Sequence, residues 1–124
     1  MHEKLISIVI PAFNESENIP KIVLAIENLF EQLPYRYEII MVADGCTDNT
    51  MDKIQELLST NKQLYYIEFS RNFGHQNALK AGLDHSNGDC VISLDCDMQH
   101  PPEIIPEMLA KWELGYEVVY TIRK

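Results

Sequence analysis

Short runs of apolar and β-branched residues alternate along the chain with longer segments in which apolar residues recur every three or four positions. The short runs predict buried strands at residues 5–10, 37–43, 64–70, 89–94 and 117–122. The longer segments predict amphipathic helices at residues 19–33, 48–60, 77–86 and 104–114. A chain that alternates strand and helix in this way favours an α/β fold, in which a parallel sheet is covered by helices on both faces.

Helix-capping and helix-breaking residues indicate where the first two helices begin and end. Pro20 suits the first turn of the first helix, and Ser16 and Asn18 are capping candidates just before it. Pro34 is expected to end that helix. Thr47 is expected to cap the second helix.

Polar loops follow each of the first four predicted strands. Open parallel sheets bind ligands beyond the carboxyl ends of their strands, so these loops are expected to form a shared site. They read PAFNE (11–15), DGC (44–46), SRNFG (70–74) and DCDMQ (95–99).

The pair Asp95 and Asp97 suggests a metal site at the end of the fourth strand. The chain has 10 basic and 19 acidic residues and a net charge of -9, and these two neighbouring carboxylates repel each other unless a cation lies between them. Mg²⁺ or Mn²⁺ binds one or two carboxylates and completes its shell with phosphate and water, and Gln99 offers a further oxygen. The alternative is a turn in which solvated aspartates cap the helix that starts near Pro101-Pro102.

Other loop residues can contact a nucleotide, although each also has an ordinary structural explanation. Asp44 can accept a hydrogen bond from the ring N–H of a pyrimidine or guanine, or it is a turn aspartate before Gly45. Phe13 can stack on a base or plug the sheet edge. Glu15 can accept from a ribose hydroxyl or be a solvated acid in a helix first turn. Arg123, at the end of the fifth strand, can hold a phosphate or be a solvated charge.

Composition narrows the classes of function. The 124 residues, 46% of them hydrophobic, suit one domain. The acidic balance argues against a nucleic-acid-binding face. Neither a dinucleotide-binding glycine motif nor a P-loop occurs. No apolar run approaches the ~20 residues of a membrane span, and no signal peptide is expected because the first residues lead straight into a strand.

The cysteines and histidines give weaker signals. Three cysteines without framework spacing favour a reducing, cytosolic setting. A zinc site from Cys46, Cys96, His75 and His100 is conceivable, but no C-x-x-C or H-x-x-x-H pair supports it. His75 is interpreted as a polar residue at the start of a helix, since no Ser or Cys nucleophile has a recognisable setting near it.

Four stretches together resemble a known family. They are SIVIPAFNESENI, VADGCTDNT, SRNFGHQNALKAGLDHSNGD and DCDMQHPPEIIPEMLAKWELGYEVVYTIRK. The chain resembles, over essentially its whole length, the inverting family-2 glycosyltransferases with the Rossmann-like GT-A fold. The stretch D-x-D-x-Q-H-P-P-E resembles the polyprenyl-phosphate sugar transferases within them, which include dolichol-phosphate mannose synthase and the undecaprenyl-phosphate glycosyltransferases.

The resemblance implies a role for ten positions of this sequence. It assigns the base and ribose of a UDP- or GDP-sugar to Pro11, Phe13, Glu15, Val42 and Asp44. It assigns the ribose and diphosphate to Asp95 and Cys96, the phosphates to Arg123, and a Mg²⁺ or Mn²⁺ ion to Asp95, Asp97 and Gln99.

The implied activity is transfer of a sugar, with inversion, from a nucleoside-diphosphate sugar to an acceptor, most simply a polyprenyl phosphate. The alternatives are a soluble family-2 transferase with a saccharide acceptor and a non-catalytic nucleotide-binding module. Two departures from the family pattern bear on these: Ala43 replaces the first acid of the usual Asp-Asp-Gly-Ser, and Cys96 replaces a common alanine.

The resemblance also implies that residues 1–124 are the nucleotide-sugar-binding part of a longer, truncated domain. The catalytic residues and the acceptor region are then expected beyond Lys124, and the isolated chain is expected to be inactive. One sheet edge is expected to be uncovered, which favours a homo-oligomer. The parent protein is expected on the cytoplasmic face of a membrane.

Overall fold

The computed structural model describes residues 4–97 and 102–115. Within these residues the chain forms four strands, four helices and one short 3-10 turn at Pro102–Ile104. The strands are β1 (Leu5–Ala12), β2 (Arg36–Asp44), β3 (Leu64–Phe69) and β4 (Cys90–Ser93). The helices are α1 (Ile19–Phe30), α2 (Thr50–Leu58), α3 (His75–Asp84) and α4 (Ile105–Glu113). The predicted fifth strand, 117–122, lies outside the described residues.

The four strands form one parallel sheet in the order β3-β2-β1-β4. The register places Ile8 of β1 beside Ile39 of β2 and Ile92 of β4. The chain runs outward from β1 to β3 and then returns across the sheet to add β4 on the other side of β1. The strand order therefore reverses between β1 and β4, which is where sheets of this kind hold ligands.

Helices cover both faces of the sheet, as the alternation of elements predicts. One face carries the larger core, in which Ile8 and Met41 pack with residues of α1, α2 and α4 such as Ile22, Ile54 and Ile105. The other face carries α3, which packs against β1 and β2. No helix among residues 4–97 and 102–115 has the length and apolar character needed to cross a bilayer.

The ends of α1 and α2 differ from the predicted ones, and the residues at their N-cap positions make no side-chain cap bond. α1 ends at Phe30, before Pro34. Asn18 occupies the N-cap position of α1 without a side-chain cap bond, and its amide instead donates to Glu15 Oε1 at 2.8 Å. Thr47 does not cap α2, which begins at Thr50. The Thr50 N–H instead donates to Asp48 Oδ1 at 2.9 Å.

α3 lies unusually close to the sheet because residue 82 has no side chain. A Cβ atom on Gly82 would lie 2.3 Å from Cγ1 of Val9 and 3.3 Å from Cγ2 of Val42. Val9 and Val42 are fully buried, so neither side chain has room to move. The close approach of α3 fixes the position of its first residue, His75, at the carboxyl end of the sheet.

Gly82→Ala is expected to lower the free energy of unfolding by up to about 2 kcal/mol. Overpacking costs about 1–3 kcal/mol, which outweighs the ~1 kcal/mol that alanine gains over glycine in a helix. Urea unfolding of Gly82→Ala, Val9→Ala and the double variant measures the coupling between the two positions. A Gly82→Ala variant more stable than the parent by the full ~1 kcal/mol that alanine gains in a helix would show that α3 is not in close contact with β1.

Candidate functional site

The polar loops converge on one cavity of about 320 Å³ at the carboxyl end of the sheet. Its walls come from the ends of β1, β2 and β4 and from the loop between β3 and α3. The described lining residues are Pro11, Ala12, Phe13, Glu15, Asp44, Asn72, Gly74, His75, Asp95, Cys96 and Asp97. Seven of the ten positions implied by the family resemblance are therefore brought together.

Of the other three implied positions, the structure describes Val42, which is not among the lining residues. Val42 is fully buried and packs on the α3 side of the sheet with Ile40 and Ala78, so its side chain faces the core. It lies on the same face of β2 as Asp44, but two residues further from the carboxyl end of the strand and from the loops that form the cavity. Gln99 and Arg123 lie outside the described residues.

Asn14 connects the loop after β1 to the loop after β2. It adopts a φ of 54°, in the left-handed region that asparagine tolerates better than most residues. Its Oδ1 accepts the backbone N–H groups of Thr47 at 2.8 Å and Asp48 at 3.2 Å. This anchors the segment that presents Phe13, a residue that is 46% exposed and lines the cavity.

Asp44 at the end of β2 is bonded to the β3–α3 loop. Its side chain is buried, with the residue only 3% exposed. Oδ1 accepts the backbone N–H of Phe73 at 2.8 Å, and Oδ2 accepts that of Gly74 at 3.1 Å. The Asn72 amide also donates to the Asp44 carbonyl oxygen at 3.3 Å. A carboxylate oxygen has two lone pairs, so each still has one direction in which it can accept from a ligand.

Gly45 allows the loops after β2 and β3 to touch. Its φ of +68° is left-handed, and a Cβ atom there would lie 2.1 Å from the carbonyl carbon of Arg71 and from the nitrogen of Asn72. A side chain at position 45 therefore cannot coexist with the present path of the β3–α3 loop. The contact holds Asn72, Gly74 and His75 at the cavity.

The loop after β4 contributes carboxylates of different exposure. Asp95 is buried and Asp97 is exposed, and both line the cavity. Cys96 between them is buried, and desolvation raises the pKa of its thiol far above the ordinary range. The thiol is therefore neutral near neutral pH, and the local charge comes from the two aspartates.

The donor atoms of Asp95 and Asp97 suit Mg²⁺ or Mn²⁺, which prefer carboxylate oxygens and take further ligands from phosphate and water. No group of three or more His, Cys, Asp or Glu side chains that could hold a metal occurs within residues 4–97 and 102–115. An all-protein zinc cage from Cys46, Cys96 and His75 thus has no support there, and His100 lies outside the described residues.

Sequence reasoning missed two side chains of the cavity wall, Asn72 and His75. The SRNFG loop was expected at the site because it follows a strand, but its individual residues carried no signal. His75 does begin α3, as interpreted, and it also lines the cavity.

The fold and the cavity define an α/β domain with its ligand site at the carboxyl ends of a parallel sheet. Residues 7–124 match the glycosyl transferase family 2, and the chain belongs to that family. It is 40% identical over 119 residues to the uncharacterized glycosyltransferase sll0501 of Synechocystis, covering 96% of this chain and 37% of that protein. It is also 40% identical over 123 residues to the putative glycosyltransferase CsbB of Bacillus subtilis, covering 99% of this chain and 37% of that protein.

Solved structures establish the GT-A architecture. The Pyrobaculum calidifontis mannosyltransferase PcManGT, in complex with GDP-Man and Mn²⁺, superposes with a TM-score of 0.74 at 24% identity, covering 94% of this chain and 34% of that one. The glucosyl-3-phosphoglycerate synthase of Mycobacterium tuberculosis, in complex with UDP, gives 0.67 at 24% identity, covering 92% and 41%. The chain thus spans little more than a third of these relatives.

Proposed function

We propose that the protein containing this chain transfers a sugar from a UDP- or GDP-sugar to a polyprenyl phosphate, with inversion at the anomeric carbon. The observation that carries the proposal is the cavity at the carboxyl end of the sheet, which combines an exposed aromatic ring, Phe13, with the carboxylates of Asp44, Asp95 and Asp97. A nucleoside diphosphate offers a base to stack, ring N–H groups for a carboxylate, and a charge that a bound cation would offset.

The donor would lie across the ends of β2, β1 and β4. Phe13 would stack on the base, and Asp44 would accept from it through a lone pair not used by Phe73 or Gly74. Glu15 would accept from the ribose, while Asp95 and Asp97 would hold the divalent cation beside the diphosphate. The solved relatives that contain GDP-Man with Mn²⁺, and UDP, support a nucleotide-sugar donor and a metal.

The bound cation would supply electrostatic stabilisation of the departing diphosphate. The chain's own contribution is positional, because fixed loops hold the donor in one orientation. Transfer with inversion forms a bond from an acceptor oxygen to the anomeric carbon on the face opposite the leaving group. The bond to the diphosphate breaks, and its electron pair leaves with the nucleotide. A phosphate acceptor is already ionised and needs little help from a general base.

Ala43 gives no support to the alternative of a non-catalytic binding module. Its side chain is fully buried in the core on the face covered by α1 and α2. The replacement of the usual acid at this position therefore removes no group from the described cavity wall.

Further parts of the proposal concern the whole protein. It would act at the cytoplasmic face of a membrane, where polyprenyl phosphates meet soluble nucleotide sugars.

β3 has no partner on its outer side within the described sheet, and the exposed Tyr65 and Tyr66 on that strand suit a contact between copies of the chain. The acceptor region and the catalytic residues would lie beyond Lys124, so residues 1–124 alone would not transfer sugar.

Calorimetric titration of the whole protein with UDP and GDP, each with and without Mn²⁺, tests the donor site. We expect one of the two to bind in a Mn²⁺-dependent way, and the corresponding radiolabelled hexose donor to label a polyprenyl phosphate. Absence of binding by both nucleotides in the presence of Mn²⁺ would refute the donor site. Donor binding with labelling of a saccharide but not of a polyprenyl phosphate would refute the acceptor.

A further inference from the structure

His75 is a half-buried residue in the wall of an otherwise acidic cavity. Four carboxylates line the same cavity, and they come from Glu15, Asp44, Asp95 and Asp97. Among the described lining residues, His75 is the one whose side chain can carry a positive charge. An imidazole offers at least one N–H donor in either protonation state. The side chain therefore suits an anionic ligand better than the carboxylates around it do.

The backbone on both sides of His75 is fixed. Before it, Asp44 accepts the N–H groups of Phe73 and Gly74 at 2.8 and 3.1 Å. After it, the Ala78 N–H donates to the Gly74 carbonyl oxygen at 3.1 Å and begins the hydrogen bonding of α3. Because Gly82 has no side chain, the helix then packs closely against Val9 and Val42. The histidine is therefore held at the cavity before any ligand arrives, which reduces the entropy lost on binding.

The topology determines which part of the donor His75 faces. α3 leads from β3 to β4 and packs on β1 and β2 on its way, so its first residue lies beside the central strands. In the strand order, β1 separates Asp44 at the end of β2, the proposed base end of the cavity, from Asp95 and Asp97 after β4, the proposed cation end. In a bound nucleotide the ribose follows the base, and the diphosphate follows the ribose and lies against the cation. A ligand that spans the two ends therefore passes β1, against which α3 packs.

We propose that His75 donates a hydrogen bond from its ring to the diphosphate of the donor, and that Asp44 is the positioning residue that holds His75 in place through the β3–α3 loop. The inference rests on the proposed function and adds a contact to it. Mg²⁺ and Mn²⁺ favour oxygen ligands, so His75 acts on the phosphates and not as a ligand of the ion.

The test compares His75→Ala, His75→Gln and Gln76→Ala in the whole protein. Gln76 is the matched control, because it is exposed, adjacent and in the same helical turn but does not line the cavity. Each variant is titrated with the nucleoside, the monophosphate and the diphosphate of whichever base the parent binds, in the presence of Mn²⁺.

We expect His75→Ala to weaken diphosphate binding about 10- to 100-fold, the range for a hydrogen bond to a charged group, and to leave nucleoside binding unchanged. His75→Gln, which keeps an N–H donor, should recover part of the loss, and Gln76→Ala should match the parent. Asp44→Asn should accelerate hydrogen exchange of the Phe73 and Gly74 amides and also weaken diphosphate binding, because its new amide donor opposes a backbone N–H.

If His75→Ala binds the diphosphate as tightly as the parent does, the inference is wrong. That result would not contradict the proposed donor site. Equal losses for nucleoside and diphosphate would also overturn it, since they would mark His75 as a structural residue. Failure of the parent protein to bind either UDP or GDP would refute the proposed function and the inference together.

Discussion

Replacing Asp97 with alanine is expected to remove most of the Mn²⁺-dependent affinity for the nucleoside diphosphate while the protein stays folded. The Asp97 side chain is exposed at the cavity and outside the core, so its loss leaves the packing of the sheet intact. Disturbing even the groups around a metal ligand costs about 10- to 100-fold in metal affinity or activity. Loss of one of two carboxylate ligands should cost at least about 10-fold. Titration with and without Mn²⁺, beside a thermal melt, measures both effects.

Asp52→Ala separates a specific ligand effect from a general change of charge. Asp52 is exposed in the first turn of α2 and is not among the described residues that line the cavity. Both variants remove one negative charge from a chain of net charge -9, so a long-range electrostatic effect would appear in both. Unchanged affinity of Asp97→Ala that also resists EDTA would show that Asp97 does not bind the metal.

The sequence predicted the four strands and four helices that the structure describes, and the loops that bear the site, because those features depend on local periodicity. Residues 5–10 and 37–43 are apolar at nearly every position and do not alternate with polar residues. Such continuous apolar runs are typical of strands buried on both faces. The parallel sheet and its helical layers followed from alternation and connection length. The GT-A assignment came from the resemblance and is confirmed by the superposed structures.

The contacts between loops could not be predicted in the same way. Asp44 bonds to backbone groups 29 and 30 residues further along the chain, and Asn14 to groups 33 and 34 residues away. Periodicity carries no information about such distances. Thr47, predicted as a helix cap, instead donates its backbone N–H to the distant Asn14. For the same reason His75 was recognised as the start of a helix, but its place in the cavity was not.

The second large effect is expected from Gly45→Ala, which should lower the free energy of unfolding by about 2–5 kcal/mol and weaken nucleotide binding. A left-handed conformation costs a non-glycine residue about 1–2 kcal/mol. The added methyl group would also lie 2.1 Å from two backbone atoms of Arg71 and Asn72. Backbone atoms cannot rotate aside as a side chain can, so relief requires movement of the β3–α3 loop, at a further cost of about 1–3 kcal/mol.

Gly115→Ala is the matched control for the backbone conformation. Gly115 also has a positive φ, +102°, but a Cβ atom there would meet nothing within 4 Å. Its replacement should therefore show the conformational cost without the overlap, and without an effect on nucleotide affinity. Urea unfolding of the two variants isolates the contribution of the contact between the loops after β2 and β3. Equal losses of stability, with nucleotide binding intact in Gly45→Ala, would show that this contact does not hold the wall of the site.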